Sequence, residues 1–207
     1  MARNATAPER LPFTGDDEAD RLIAADPLAL LIGFTLDQQV TVQKAFAGPL
    51  ELRRRLGHLD VARIAASDPE ELAAVFRERP ALHRFPGSMA ERVRALCAFL
   101  EERYDGDAER LWREAESGED LRARLTELPG FGEMKVRTVI TLLARQFGVQ
   151  PPGIDALLPD HPTLGDVRTA EELASYQAGK RAAKAARRAA AAKEGDPCST
   201  TSGHSTA

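Results

Sequence analysis

The segment LPGFGEMK, residues 128 to 135, gathers more of the means for chemistry than any other stretch of the chain. Gly130 and Gly132 flank Phe131, and helical apolar spacing resumes at once in EMKVRTVITLLARQFG. Glycine tolerates positive φ and has no Cβ to obstruct an approaching group. The first amides of a helix lack partners within it and stand at the positive end of its dipole, so such a corner binds anions. Lys135 and Arg137, in the first turns of the following helix, are available to a phosphate. Leu128 and Phe131 are expected to plug the corner into the core. An ordinary turn between two helices is the alternative reading of an isolated Pro-Gly.

Other chemistries are poorly represented. Cys97 and Cys198 lie far apart in unlike surroundings, which argues against a disulfide framework, a metal cluster or iron–sulfur spacing and fits a reducing cytoplasm. His58 and His83 have no partner at zinc or triad spacing and read as solvated or capping residues, with a phosphate contact as the alternative for His83 beside Arg84. No GxGxxG, phosphate-binding loop or GxSxG occurs. The net charge of -4 conceals a strong asymmetry: residues 177 to 193 hold six basic side chains and no acid, leaving 22 basic against 32 acidic residues elsewhere. Lys180, Arg181, Lys184, Arg187 and Arg188 fall near helical spacing on one face, suited to a polyanion. A solvated helix is the other reading.

The elements that must position these residues are helices. Asp26-Pro27 reads as an N-cap with proline at N1, and Ser67 with Glu70, Ser88 with Glu91 and Thr169 with Glu172 read as capping boxes. Alternation of β-branched residues is nearly absent. The fold class is all-α, with about eight to ten short helices. Residues 1 to 15 and 194 to 207 are expected to lack order, the domain to span 16 to 167, and a basic alanine-rich helix to span 168 to 193. No run approaches the roughly 18 apolar residues that span a bilayer, so a soluble protein without membrane contact is expected.

The helix–LPGFG–helix unit, about residues 119 to 147, resembles the helix-hairpin-helix motif, which grips duplex DNA by its backbone. Upstream, DPLALLIGFTLDQQVTVQKAFAGPLELRRRLG resembles the early helix of the helix-hairpin-helix (HhH-GPD) DNA glycosylase superfamily, which ends in a glutamine pair. Residues 81 to 107, ALHRFPGSMAERVRALCAFLEERYDGD, are similar to the family's turn and long helix. The resemblance covers roughly residues 20 to 155 and is nearest an actinobacterial-type base-excision repair branch without an iron–sulfur cluster.

The resemblance implies a two-lobed helical fold with a C-terminal basic helix, and a monofunctional DNA glycosylase acting on a flipped-out base. It implies that Gln38 or Gln39 enters the minor-groove side of the duplex; a polar helix C-terminus that caps local backbone is the alternative reading of the pair. It also implies that Gly130, Phe131, Gly132, Lys135, Arg137, Lys180 and Arg181 serve DNA binding. Phe34, Phe46, Phe85 or Trp112 would stack on the base. Asp155, in FGVQPPGIDALLPD, matches the family's catalytic aspartate, with Asp160 and Asp37 as the alternatives. The interval to Asp155 is longer than usual, and Gly153 replaces an apolar residue there. The family's lyase lysine matches Met134, and the glutamate of adenine-specific members matches Phe34, so lyase activity and adenine specificity are not expected. No metal or organic cofactor is implied beyond the option of a monovalent cation at the hairpin. The expected partner is double-stranded DNA, the expected state a monomer, and the expected location the cytoplasm, at the nucleoid. A scaffold that recognises lesions without catalysis, and an unrelated all-α interaction module, are the alternative functions.

Overall fold

The computed structural model describes residues 7–194, and within them the chain forms ten α-helices, two 3-10 turns and no strand. The hydrophobic centre is α2, Pro27–Leu36, whose residues from Leu28 to Leu36 are all buried. A helix apolar on every side must be covered on every side. α1 (Asp17–Ala25), α3 (Val42–Leu56) and α6 (Pro86–Tyr104) supply that cover. α4 (Val61–Ala65) and α5 (Pro69–Arg77) lie on α6. α7 (Arg110–Arg113), α8 (Gly118–Thr126), α9 (Glu133–Gln146) and the turns Ile154–Leu157 and Leu164–Asp166 pack mainly on one another. α10, Ala170–Glu194, follows. One continuous apolar core joins these elements, from Leu11 to Leu173. Among the described residues no helix is long and apolar enough to cross a membrane.

The close approaches are made by small residues. A Cβ on Gly33 would lie 2.5 Å from the Phe46 ring, so glycine lets α3 settle on α2, where Phe46 meets Phe34 and Phe13 edge to face. Gly165 sits against the α9 backbone, where a Cβ would lie 2.5 Å from the Leu142 nitrogen.

Several boundaries differ from expectation. Asp26 caps α2 and Thr169 shares a reciprocal cap with Glu172, as the sequence implies. At 67 the cap is Asp68 instead, since its carboxylate reaches the amides of Glu70 and Glu71 ahead of Pro69, while Ser67 bonds back to Ile64. At 88 no side chain caps: Pro86 starts α6 and leaves Ser88 inside the helix. The N-terminal expectation is corrected further. Leu11 and Phe13 are wholly buried, and the Asp20 carboxylate accepts from the Phe13 and Thr14 amides, so residues 11 to 14 are tied to the core. The expectation for 194 to 207 lies outside the described residues, apart from Glu194, which closes α10.

Candidate functional site

The hairpin forms where the sequence places it. Leu128 and Phe131 are buried, holding the turn between α8 and α9. Gly130 has φ of 79°, in the region that favours glycine. Gly132 does not: its φ is -86°, and its lack of a Cβ matters only for access, since nothing lies within 4 Å of where one would stand. Gly132 is the N-cap of α9 and no side chain caps that end. Its neighbour Met134 is 80% exposed.

The second centre is the turn after α2. Gln38 is held from three directions. Its backbone carbonyl accepts from His83 Nε2 at 2.8 Å, its side-chain oxygen accepts from Arg92 Nη1 at 2.5 Å, and its amide nitrogen donates to the Thr35 carbonyl. The Phe85 amide donates to His83 Nδ1, so the proton sits on Nε2 and the ring is neutral. Burial first of all holds His83 below the usual histidine range, and only 1% of it is exposed. His83 is therefore a strut under Gln38 rather than a solvated residue or a phosphate contact. Gln39 is different. It is exposed, makes no side-chain hydrogen bond, and has φ of 56°, a conformation that non-glycine residues seldom hold without cause.

Arg92, on α6, joins the two centres. The Nη1 that meets Gln38 also lies 3.8 Å from where a Gly130 Cβ would be. Between them sits Lys135. Its side chain turns inward, with Nζ buried, unpaired and 4.9 Å from the centre of the Phe131 ring. The expected outward contact with phosphate is corrected accordingly. Burial pulls the amine down to about 8, while Asp37 draws it up and Arg92 pushes it lower. Asp37 caps the C-terminal end of α2. Burial raises its carboxyl, against the pull of Lys180 and then Lys135. No family model, curated protein or solved structure matches this chain.

The remaining expected residues fall into two groups. Arg137 is exposed and pairs with Glu133 on the far side of α9 from Lys135. There an open groove of about 770 Å³ runs past Phe131, Gly132 and Arg137 to Asp160 and His161. Asp155 is exposed on the Ile154–Leu157 turn, makes no side-chain hydrogen bond and does not line that groove. Ile154 anchors this turn against Gly118 of α8. Lys180 and Arg181 are exposed on α10. Of the four aromatic residues, Phe34, Phe46 and Trp112 are buried, and Phe85 alone is open, at 42%. Cys97 is buried and pushed up to about 12, which removes its thiol from any chemistry near neutral pH. Among the described residues no cluster of three or more metal-ligating side chains occurs.

Arg92 carried no signal in the sequence and His83 only its place beside Arg84, because each acts through a contact distant along the chain. Asp37 did carry one, its place beside the glutamine pair, but only burial and the two lysines distinguish it from other aspartates.

Proposed function

We propose that the protein is a DNA N-glycosylase that holds duplex DNA by the hairpin and hydrolyses the glycosidic bond of an extruded nucleotide. One observation carries this reading: Arg92 brings the amide corner at Gly130 together with the Gln38 turn, with the Asp37 and Lys135 charges in the same neighbourhood. The open amides before α9 suit a phosphate. Gln39, exposed and in an unfavourable backbone conformation, suits the gap left by a flipped base, and Gln38 serves to hold the turn.

Glycosidic cleavage develops positive charge on the sugar, which a carboxylate stabilises while orienting water. Asp37 is the better candidate. It is half-buried at the end of α2, near two lysines that favour its ionised form, whereas Asp155 stands in solvent. The experiment is base release from duplexes bearing uracil, alkylated, oxidised or deaminated bases, scored as abasic sites. Asp37→Asn is expected to abolish release and Asp155→Asn to retain it. Release retained in Asp37→Asn and lost in Asp155→Asn would return the role to Asp155, and no release from any duplex by the unaltered protein would sink the enzymatic reading.

The unpaired Lys135 amine favours a second reading, in which the enzyme also cleaves abasic strands. With its value near 8, about a tenth of the amine is uncharged at pH 7, against far less for a free lysine. An uncharged amine can add to C1′ of the open-chain abasic sugar and lose water to form an imine. Borohydride would then trap a covalent protein–DNA adduct that Lys135→Met cannot form. Absence of an adduct leaves the enzyme monofunctional.

A further inference from the structure

α10 begins as part of the core and ends as something else. Its start is fixed by the reciprocal cap between Thr169 and Glu172, and by Arg168, whose guanidinium donates to the Arg145 carbonyl at the end of α9. Leu173 is buried, and one turn later Gln177 exchanges two amide hydrogen bonds with Gln43, at 3.0 and 3.3 Å. Gln43 lies in the first turn of α3, just past the Asp37–Gln39 turn, so α10 lies on the element that follows the site. Leu173, Gln177 and Lys180 follow helical spacing along one face. The Lys180 amine lies 5.3 Å from the Tyr176 ring centre, and its charge acts on Asp37. Arg181, next in the chain, is turned about 100° away and is exposed. It makes no ion pair, and neither does Lys184 one turn on.

We infer that the first three turns of α10 are a strap over the start of α3 beside the Asp37–Gln39 turn, and that Lys180 is a positioning residue which the strap keeps near Asp37. The six basic residues of the C-terminal segment would then do two jobs. Lys180 favours the ionised form of Asp37 against its burial from the α10 side as Lys135 does from α9, with Arg92 on α6 opposing the charge on Lys135. Beyond it the exposed Arg181, Lys184 and Arg188 are available to a polyanion. A desolvated carboxyl with two nearby cations is poised, since removing either cation favours its protonated form. The proposal rests on the reading of Asp37 as the site carboxylate.

Two measurements separate the strap from that reading. The first needs no DNA: the Asp37 carboxyl is titrated by carbon-detected NMR in the full chain. Lys180→Ala is expected to move its midpoint upward by about half a pH unit or more. Arg181→Ala should leave it in place, Lys180→Arg should restore it, and Gln177→Ala, which loosens the strap, should give part of the shift. The second is the pH profile of base release in single turnover at saturating enzyme. There the acid limb should move with the same variants, whereas a residue that merely binds DNA would change only the salt dependence. If Lys180→Ala and Arg181→Ala leave Asp37 titrating alike, the strap is wrong even where base release is robust. If the midpoint moves but no duplex loses a base, the strap stands and the glycosylase reading falls.

Discussion

A buried amine without a partner is a cost that folding alone does not explain. Lys135 has its ring contact with Phe131 and the opposed charges of Asp37 and Arg92, but no hydrogen bond to its Nζ. Lysine stability linkage follows from its two values, about 8 folded and 10.5 in the open chain. Between them the unfolded state binds more protons than the folded one, so stability should rise as pH climbs from 8 to 10.5, and below 8 the folded state bears the full penalty. At pH 7 the penalty is on the order of 3 kcal/mol. Lys135→Met, similar in shape and uncharged, should therefore stabilise the fold by about 1–3 kcal/mol at pH 7 and remove the alkaline rise relative to the unaltered chain. Urea unfolding at pH 7 and 9.5 checks both. A less stable variant would mean that the amine has a structural partner, and would weaken the case for keeping it as a functional group.

At the scale of elements, two glycines of different purpose can be told apart. Gly165 presses on the α9 backbone at Leu142 and the Thr138 carbonyl, neither of which can yield. Gly165→Ala should cost about 2–4 kcal/mol by displacing the turn that Gln146 also ties down through the Gly165 and Val167 carbonyls. Gly132→Val meets nothing within the protein and sits at an ordinary φ, so it should unfold within about 1 kcal/mol of the unaltered chain. Its duplex affinity, read by fluorescence anisotropy, should nevertheless fall about tenfold, because the added methyls stand where a phosphate would approach the amides. Unchanged affinity would reduce LPGFG to a corner. The hairpin was legible in the sequence because its signals are local: two glycines, a proline and apolar residues on either side. The Asp26-Pro27 and Thr169–Glu172 starts were legible for the same reason. The Ser67 and Ser88 boxes misled because a stronger neighbour, Asp68-Pro69 or Pro86, set the boundary first. Nothing local could reveal that Arg92 bridges Gln38 and the hairpin, or that Lys135 turns inward, because those outcomes depend on how α6 and α9 pack.

For the whole molecule, the question is how a chain of net charge -4 would hold a polyanion. Part of its exposed acid is engaged by arginines: Glu18 meets Arg53 and Arg54, Asp105 meets Arg110, and Glu119 meets Arg122. Exposed pairs of this kind add little stability, but each neutralises its own patch at short range, and the outer part of α10 stands out as basic. Two of its arms, Lys184 and Arg188, are exposed along the helix. If the strap ends near Lys180, the two roles of α10 separate at a definite place. A chain ending at Ala183 keeps Leu173, Gln177 and Lys180 but loses Lys184, Arg187, Arg188 and Lys193. The slope of log affinity against log salt on a duplex should become shallower by about 2 to 4, as fewer counterions are released, while single-turnover base release at saturating enzyme stays within about twofold. A chain ending at Gly179, which also loses Lys180 and Arg181, should lose still more of the salt dependence and, in addition, show the displaced acid limb of Lys180→Ala. Equal chemistry in the two truncations would make the whole of α10 a mere electrostatic arm, and a loss of chemistry already at Ala183 would extend the strap beyond Lys180.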